Sequence, residues 1–239
     1  MMERAKVKSF NVVCAALAAV VFSAASARAF DKGDVKDSTE VLCNWLIDQY
    51  DSSEKVFGKG PEAKELKQVA LVLAALSDSP NDYKETNAPF ISDPVKYLVN
   101  GLREEIKKGA NANEEALKWG GIALISLNNK KYNDLSEAIG KTQPMIKVDV
   151  KAVLKDAADA LNAVVVEREY LNKTFQTLLL ASKSSTDGEF ESDGKKVAWA
   201  AGMAERLVKL QKEDGSFGPD VRANAMVLQI LDLCYKSMK

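Results

Sequence analysis

Histidine is absent from all 239 residues. Its absence removes the side chain that most often acts as a general base near neutral pH. With it go any Ser-His-Asp or Cys-His arrangement and any histidine-ligated metal centre. A basic surplus is also missing. With 33 Lys and Arg against 34 Asp and Glu, no excess positive charge is available to neutralise phosphates, which argues against nucleic acid as a partner. Long apolar runs are lacking too, because Asn11–Phe22 falls short of the roughly 20 residues that a bilayer span needs. Nor is there a convincing period-two alternation of the kind a half-buried strand would show.

What is present begins with the order of a secretory signal peptide: basic Arg4, Lys6 and Lys8, the apolar run, then small residues ending in Ala27-Arg28-Ala29. Cleavage near Ala29 would leave a mature chain starting at Phe30, exported to the periplasm or the cell exterior and without a transmembrane segment. Val13 before Cys14 argues against a lipoprotein signal. Residues 1–29 carry four basic side chains and one acidic, so their loss takes the totals from 33 basic and 34 acidic to 29 and 33. No long polar linker divides residues 30–239, and a single α/α repeat domain is expected there.

Export allows thiols to pair. Cys14 would leave with the signal, and Cys43 and Cys234 would remain on the predicted first and last helices. Two readings stand open: a Cys43–Cys234 disulfide, stabilising by up to ~5 kcal/mol in the chain-entropy model, or two separate buried thiols.

Apolar residues three and four apart predict helices nearly throughout, arranged in pairs. Ser38–Gln49, with Ser38 as N-cap, pairs with a helix opened by Pro61 and ended at Asp78-Ser-Pro80. A second pair runs from Asp93-Pro94 to Lys108-Gly109 and from Asn113 to Leu127. A shorter segment covers Tyr132–Ile139, and long helices are predicted over Val148–Val165 and Glu167–Ser182, after a break at Gln143-Pro144. The last pair is Val197–Lys212 and Asp220–Lys236. Small residues (Ala70, Ala74, Gly120, Ala123, Ala223) at inner positions of the second helices let neighbours approach closely, as stacked hairpins require.

The segment Leu207-Val-Lys-Leu-Gln-Lys-Glu-Asp-Gly-Ser-Phe-Gly218, followed by a helix carrying Ala223 and Ala225, resembles the repeat of the terpenoid-cyclase and protein prenyltransferase α/α toroid superfamily. There a helix ends in Gln, an Asp-Gly-x-aromatic turn follows, and a small-residue helix returns. Gln211, Asp214, Gly215 and Phe217 match, with Phe where Trp is common. Gln49, Phe57 and Gly58 form a weaker copy with a longer turn. Tyr97 to Leu127 follows the order with Gly101-Leu102 in place of Gln, and Asp187-Gly188-Glu189-Phe190 repeats the turn alone. The resemblance implies an all-α, toroid-like array of antiparallel helix hairpins, shorter than the family's full six-hairpin barrel, and leaves open closure by another subunit.

The family's chemistries find no residues to act with. The chain has no Asp-x-Asp-Asp acid, no Asp-Asp-x-x-Asp magnesium motif, no zinc ligand set and no Cys-Gly-Glu-Gln thioester. No catalytic residue, metal site or cofactor is therefore assigned. Glu189–Gly194 starts like a calcium loop but reaches Ala200 where a bidentate Glu belongs. Asp156 and Asp159 read as a wet helix face, and Asn172-Lys-Thr174 is a glycosylation sequon inside a helix. Trp45, Trp119 and Trp199 lie in apolar stripes, either as hairpin packing or as the lining of an apolar pocket. The function expected is a non-enzymatic scaffold or binding protein for an unknown protein or small hydrophobic ligand. The alternative is an enzyme of the same fold acting on an isoprenoid or other lipid-like substrate.

Overall fold

The computed structural model describes residues 30–86, 88–142, 166–182, 187–192 and 194–239. The predicted signal peptide with Cys14, the predicted helix Val148–Val165, and Asp156 and Asp159 lie outside them. Among the described residues the protein is all-α: eight α-helices, three short 3-10 turns and two small hairpins. None of these helices is long and apolar enough to cross a membrane.

Helix α1 covers Lys32–Asp48. It starts earlier than Ser38, because Asp31 accepts from Gly33 and Asp34 N–H while Asp34 caps back onto Asp31, a complete capping box. A hairpin of β1 (Tyr50–Asp51) and β2 (Val56–Phe57) follows. Pro61–Lys64 forms a 3-10 turn rather than the start of the next helix, and α2 spans Leu66–Asp78.

Helix α3 runs from Pro89 to Lys107, and so it begins before the expected Asp93-Pro94 cap. Ala88 accepts from Ile91 and Ser92 N–H, and Pro94, the sixth residue, sits inside the helix, where it leaves the Phe90 carbonyl without the usual i→i−4 donor. Helix α4 (Glu114–Leu127) is capped by Asn113, the predicted first residue of this helix, whose side chain accepts from Ala116 N–H, and it ends on Asn128 in left-handed conformation. Next come α5 (Asn133–Thr142) and α6 (Arg168–Ser182).

Residues 189–198 depart from expectation. They form an antiparallel hairpin, β3 (Glu189–Ser192) and β4 (Lys195–Ala198), so that α7 starts at Trp199 and ends at Leu210. Among the side chains described there, Phe190 is buried and Val197 half-buried, too few for a periodic signal. Helix α8 covers Val221–Ser237 and is capped by Asp220, which accepts from Arg222 and Ala223 N–H.

Helices α2 and α8 form the interior. Every side chain from Gln68 to Ser77 and from Arg222 to Asp232 is buried. A fully buried leucine such as Leu71, Leu73 or Leu76 contributes about 2 kcal/mol. Helix α2 packs between α4 and α8, and α8 also touches α1, α6 and α7. The first and last helices are therefore neighbours. Close approach uses glycine as expected. A Cβ on Gly120 would lie 2.4 Å from a methyl of Leu102, fixing α4 against α3, and one on Gly101 would lie 2.3 Å from Leu66, fixing α3 against α2.

Candidate functional site

The turn between α7 and α8 is where the strongest sequence motif falls, and its residues act together. Gln211 caps the end of α7, accepts from Ser38 Oγ at 2.7 Å, and donates through Nε2 to the carbonyls of Ser38 (3.1 Å) and Gly215 (2.8 Å). Ser38 is thus a mid-helix partner for the turn and not the N-cap of α1. Asp214 accepts from Ser216 N–H, and Gly215 has φ +83° against Val41. Phe217 is buried.

The first hairpin pair repeats this only in part. Gln49 donates back to Trp45 within its own helix end and does not reach a neighbouring helix. Phe57 is fully buried beside Tyr50, and Gly58 has φ +90°. Two amides that sequence reading passed over pin both turns. Gln68 donates to the Phe57 carbonyl at 2.7 Å, while Asn224 accepts from Phe217 N–H at 2.7 Å and donates to the Gly218 carbonyl. Each sits near the start of an inner helix, a polar residue within an apolar run, which is the signal that could have found it. Buried Arg222 joins the two halves by donating to Gln68 Oε1 and to Glu65.

The three tryptophans do not meet around one pocket. Trp199 and Trp119 are fully buried, Trp119 stacks on Phe175 with ring centroids 5.9 Å apart, and Trp45 is half-buried on α1. Cys43 and Cys234 lie on the adjacent helices α1 and α8 as free, fully buried thiols with separate neighbours, Ser79 for Cys43 and the Ala204 backbone for Cys234. Burial pushes both thiols up, which keeps them protonated and unreactive at neutral pH. Thr174 of the sequon is buried inside α6. Among the described residues no cluster of three or more Cys, Asp or Glu could hold a metal.

A different place gathers chemistry. The C-terminal ends of α2, α4 and α8 converge with the second half of α6 around a cavity of about 670 Å³. Its walls are apolar (Ile122, Ile125, Phe175, Leu179, Tyr235), and its polar floor comes from Ser77, Asp78 and Asp232, with Asp82 and Lys84 from the loop after α2. Asp232 is 4% exposed and pairs through Oδ2 with Lys236 Nζ at 2.8 Å; Lys236 also donates to the Asp78 carbonyl. Asp78 accepts from Ser126 Oγ, and Lys84 binds Asp82. Behind this floor two atoms with no surface open to the cavity, Ser77 Oγ and Asp232 Oδ1, have no hydrogen-bond partner. Burial pushes the Asp232 carboxyl up to about 6, with Asp78 adding repulsion against the pull of Lys236.

The larger groove along α3, about 870 Å³, differs in kind. Its acids Glu104 and Glu105 are already matched by Lys107 and Lys108. Apolar walls with a few polar groups among them are what a ligand pocket requires, and the cavity at the helix ends has them.

No protein-family model, curated protein or solved structure matches the chain.

Proposed function

We propose that this chain is an exported, non-enzymatic binding protein, built as a short α/α toroid-like array of helix hairpins, which holds a small amphipathic molecule in the cavity at the ends of α2, α4 and α8. The observation that carries the binding role is the cavity itself, an apolar wall of Ile122, Ile125, Phe175 and Leu179 with the charged side chains of Asp78, Lys84 and Lys236 among them. The Gln211 turn, with its ties to α1 and Gly215, supports kinship with the terpenoid-cyclase and prenyltransferase repeat. The absence of that family's acid, magnesium and zinc motifs from the sequence supports a binding role over its chemistry.

Export rests on the basic, apolar and small-residue order of residues 1–29. N-terminal sequencing of protein recovered from a secreting host should begin at Phe30, and an intact Met1 would refute export by this route. Binding is tested by calorimetric titration with eight-carbon amphiphiles. Saturable one-to-one binding of at least one of them, lost in Ile125→Asp, is expected; Ile125 is 70% exposed, so the change leaves the core alone. No saturation by any of them would overturn the binding role.

A second reading has one specific observation in its favour. A carboxyl held near 6 beside another acid in a cavity suits a general acid, which would make the protein an enzyme of this fold acting on an isoprenoid or similar lipid. Incubation with geranylgeraniol or squalene, followed by mass spectrometry, separates the two: a product formed by the native protein and lost in Asp232→Asn favours the enzyme.

A further inference from the structure

Helix α1 starts very close to the bond at which the leader would be cut. Its first residue is Lys32 and its cap is Asp31, while the predicted cleavage lies between Ala29 and Phe30. Resting on the export proposed above, we infer that this bond is open to a processing peptidase only before α1 docks on α7 and α8. The leader is removed from an unfolded chain, and folding follows.

In the reaction, water adds across the Ala29–Phe30 amide, leaving a carboxylate on Ala29 and an amine on Phe30. A peptidase that takes its substrate as an extended strand uses main-chain hydrogen bonds on both sides of the bond. Residues 31–34 must therefore leave the helix for cleavage to occur. In the folded protein they are held in three ways. First, the capping box occupies the backbone groups that a strand would have to present. Asp31 Oδ1 accepts from Gly33 and Asp34 N–H at 2.6 and 3.2 Å, and Asp34 Oδ2 accepts from Asp31 N–H at 2.7 Å. Second, Lys32 Nζ donates to the Met238 carbonyl at 2.8 Å and lies 4.7 Å from the centre of the Tyr235 ring, which ties the start of α1 to the end of α8. Third, Val35 is fully buried, so drawing out the first turn pulls on the core. A helix end frays at little cost where nothing holds it. Here opening gives up a cap, a long-range hydrogen bond and a cation–π contact together.

The distant partners arrive late. Met238 lies 206 residues beyond Lys32, and α1 packs on α7 and α8. Cut off from those partners, α1 is marginal in water, because most helical stability in a protein comes from tertiary packing. Residues 31–34 thus stay accessible while the chain crosses the membrane, and they close once α8 has followed. A chain that folded before crossing would keep its leader.

The test incubates three chains spanning Met1–Lys239 with a bacterial type I signal peptidase in mild detergent and follows the Phe30 product by mass spectrometry. One is the native precursor. The second carries Gly-Ser-Gly-Ser inserted between Phe30 and Asp31. The third is an unfolded reference, Leu73→Asp with Leu228→Asp, which puts two unpaired carboxylates at fully buried positions. Circular dichroism and melting establish that the first two fold and the third does not; should the double variant fold, the spacer comparison carries the test. The reference is expected to be cut at least about tenfold faster than the native precursor, and the spacer to bring the folded precursor within about threefold of the reference. Equal rates for native precursor and reference, or a spacer that does not speed cleavage, would overturn the inference while leaving export in place. No Phe30 product from any of the three would overturn the export reading itself. A native precursor that does not fold would show that the leader, and not the docking of α1, sets the order.

Discussion

Gln211 and Ser38 exchange two hydrogen bonds across 173 residues of sequence: Ser38 Oγ donates to Gln211 Oε1, and Gln211 Nε2 donates to the Ser38 carbonyl. A mid-helix carbonyl of α1 is thereby tied to the turn that launches α8. The N-terminal hairpin is held against the C-terminal one by a side chain rather than by apolar contact alone.

Removing that tie has a defined cost. Gln211→Ala loses three hydrogen bonds at a half-buried junction and should destabilise the protein by about 1–3 kcal/mol. Gln49→Ala, which gives up one long bond inside its own helix, should stay within about 0.5 kcal/mol. Urea unfolding of the two variants checks this; equal costs would show that the Gln211 junction is not special.

Gly215 makes the same junction sterically demanding. At φ +83°, with a methyl of Val41 2.4 Å from any added Cβ, Gly215→Ala should destabilise by about 2 kcal/mol or more. Gly60→Ala has the same sign of φ at +79° but nothing within 4 Å, so it should cost only the backbone term of about 1 kcal/mol. Thermal melts of the pair isolate the packing contribution.

This junction was legible in the sequence, and other features were not. Gln211, Asp214, Gly215 and Phe217 sit in twelve consecutive residues, so local spacing announces them. Arg222 reaches Gln68 and Glu65 across more than 150 residues, and no local period marks such a network. Helix type followed from the 3.6-residue apolar repeat, while the starts of α1 and α3 were misplaced. Asp31 and Ala88 lie before the apolar stripe begins, and the cap that wins is set by backbone geometry. The cavity escaped notice for the same reason as the network. Its floor draws Ser77, Asp78 and Asp232 from the ends of two helices that only tertiary packing brings together.

The two thiols give a prediction about redox state. Cys43 and Cys234 are separate and fully buried, so protein purified without reductant, unfolded in urea and alkylated should take up a label on both. Uptake on neither, with the intact mass reduced by two hydrogens, would show a bridge instead.

Asp232 sets a pH dependence of known sign. Its carboxyl rises from 3.8 to about 6 on folding, so the folded state holds its proton more tightly than the unfolded one. Stability from this group is present below about pH 4 and is lost as pH rises through about 6. The loss is at most about 2–3 kcal/mol. Asp232→Asn removes the titration. The variant should therefore gain on the native protein as pH rises from 4 to 7, with a constant difference above pH 7. Melting temperatures of both proteins across that range measure it; a difference that does not change with pH would contradict a buried Asp232 carboxyl raised by desolvation.

The most direct measurement is a titration of isoleucine-methyl-labelled protein with the eight-carbon amphiphiles, followed by NMR. Ile122 and Ile125 line the cavity, Ile106 lines the groove along α3, and Ile91 and Ile230 lie in the core. The expected result is saturable movement of the Ile122 and Ile125 methyls with the other three unmoved. Movement centred on Ile106, or none at all, would contradict a ligand site at the ends of α2, α4 and α8.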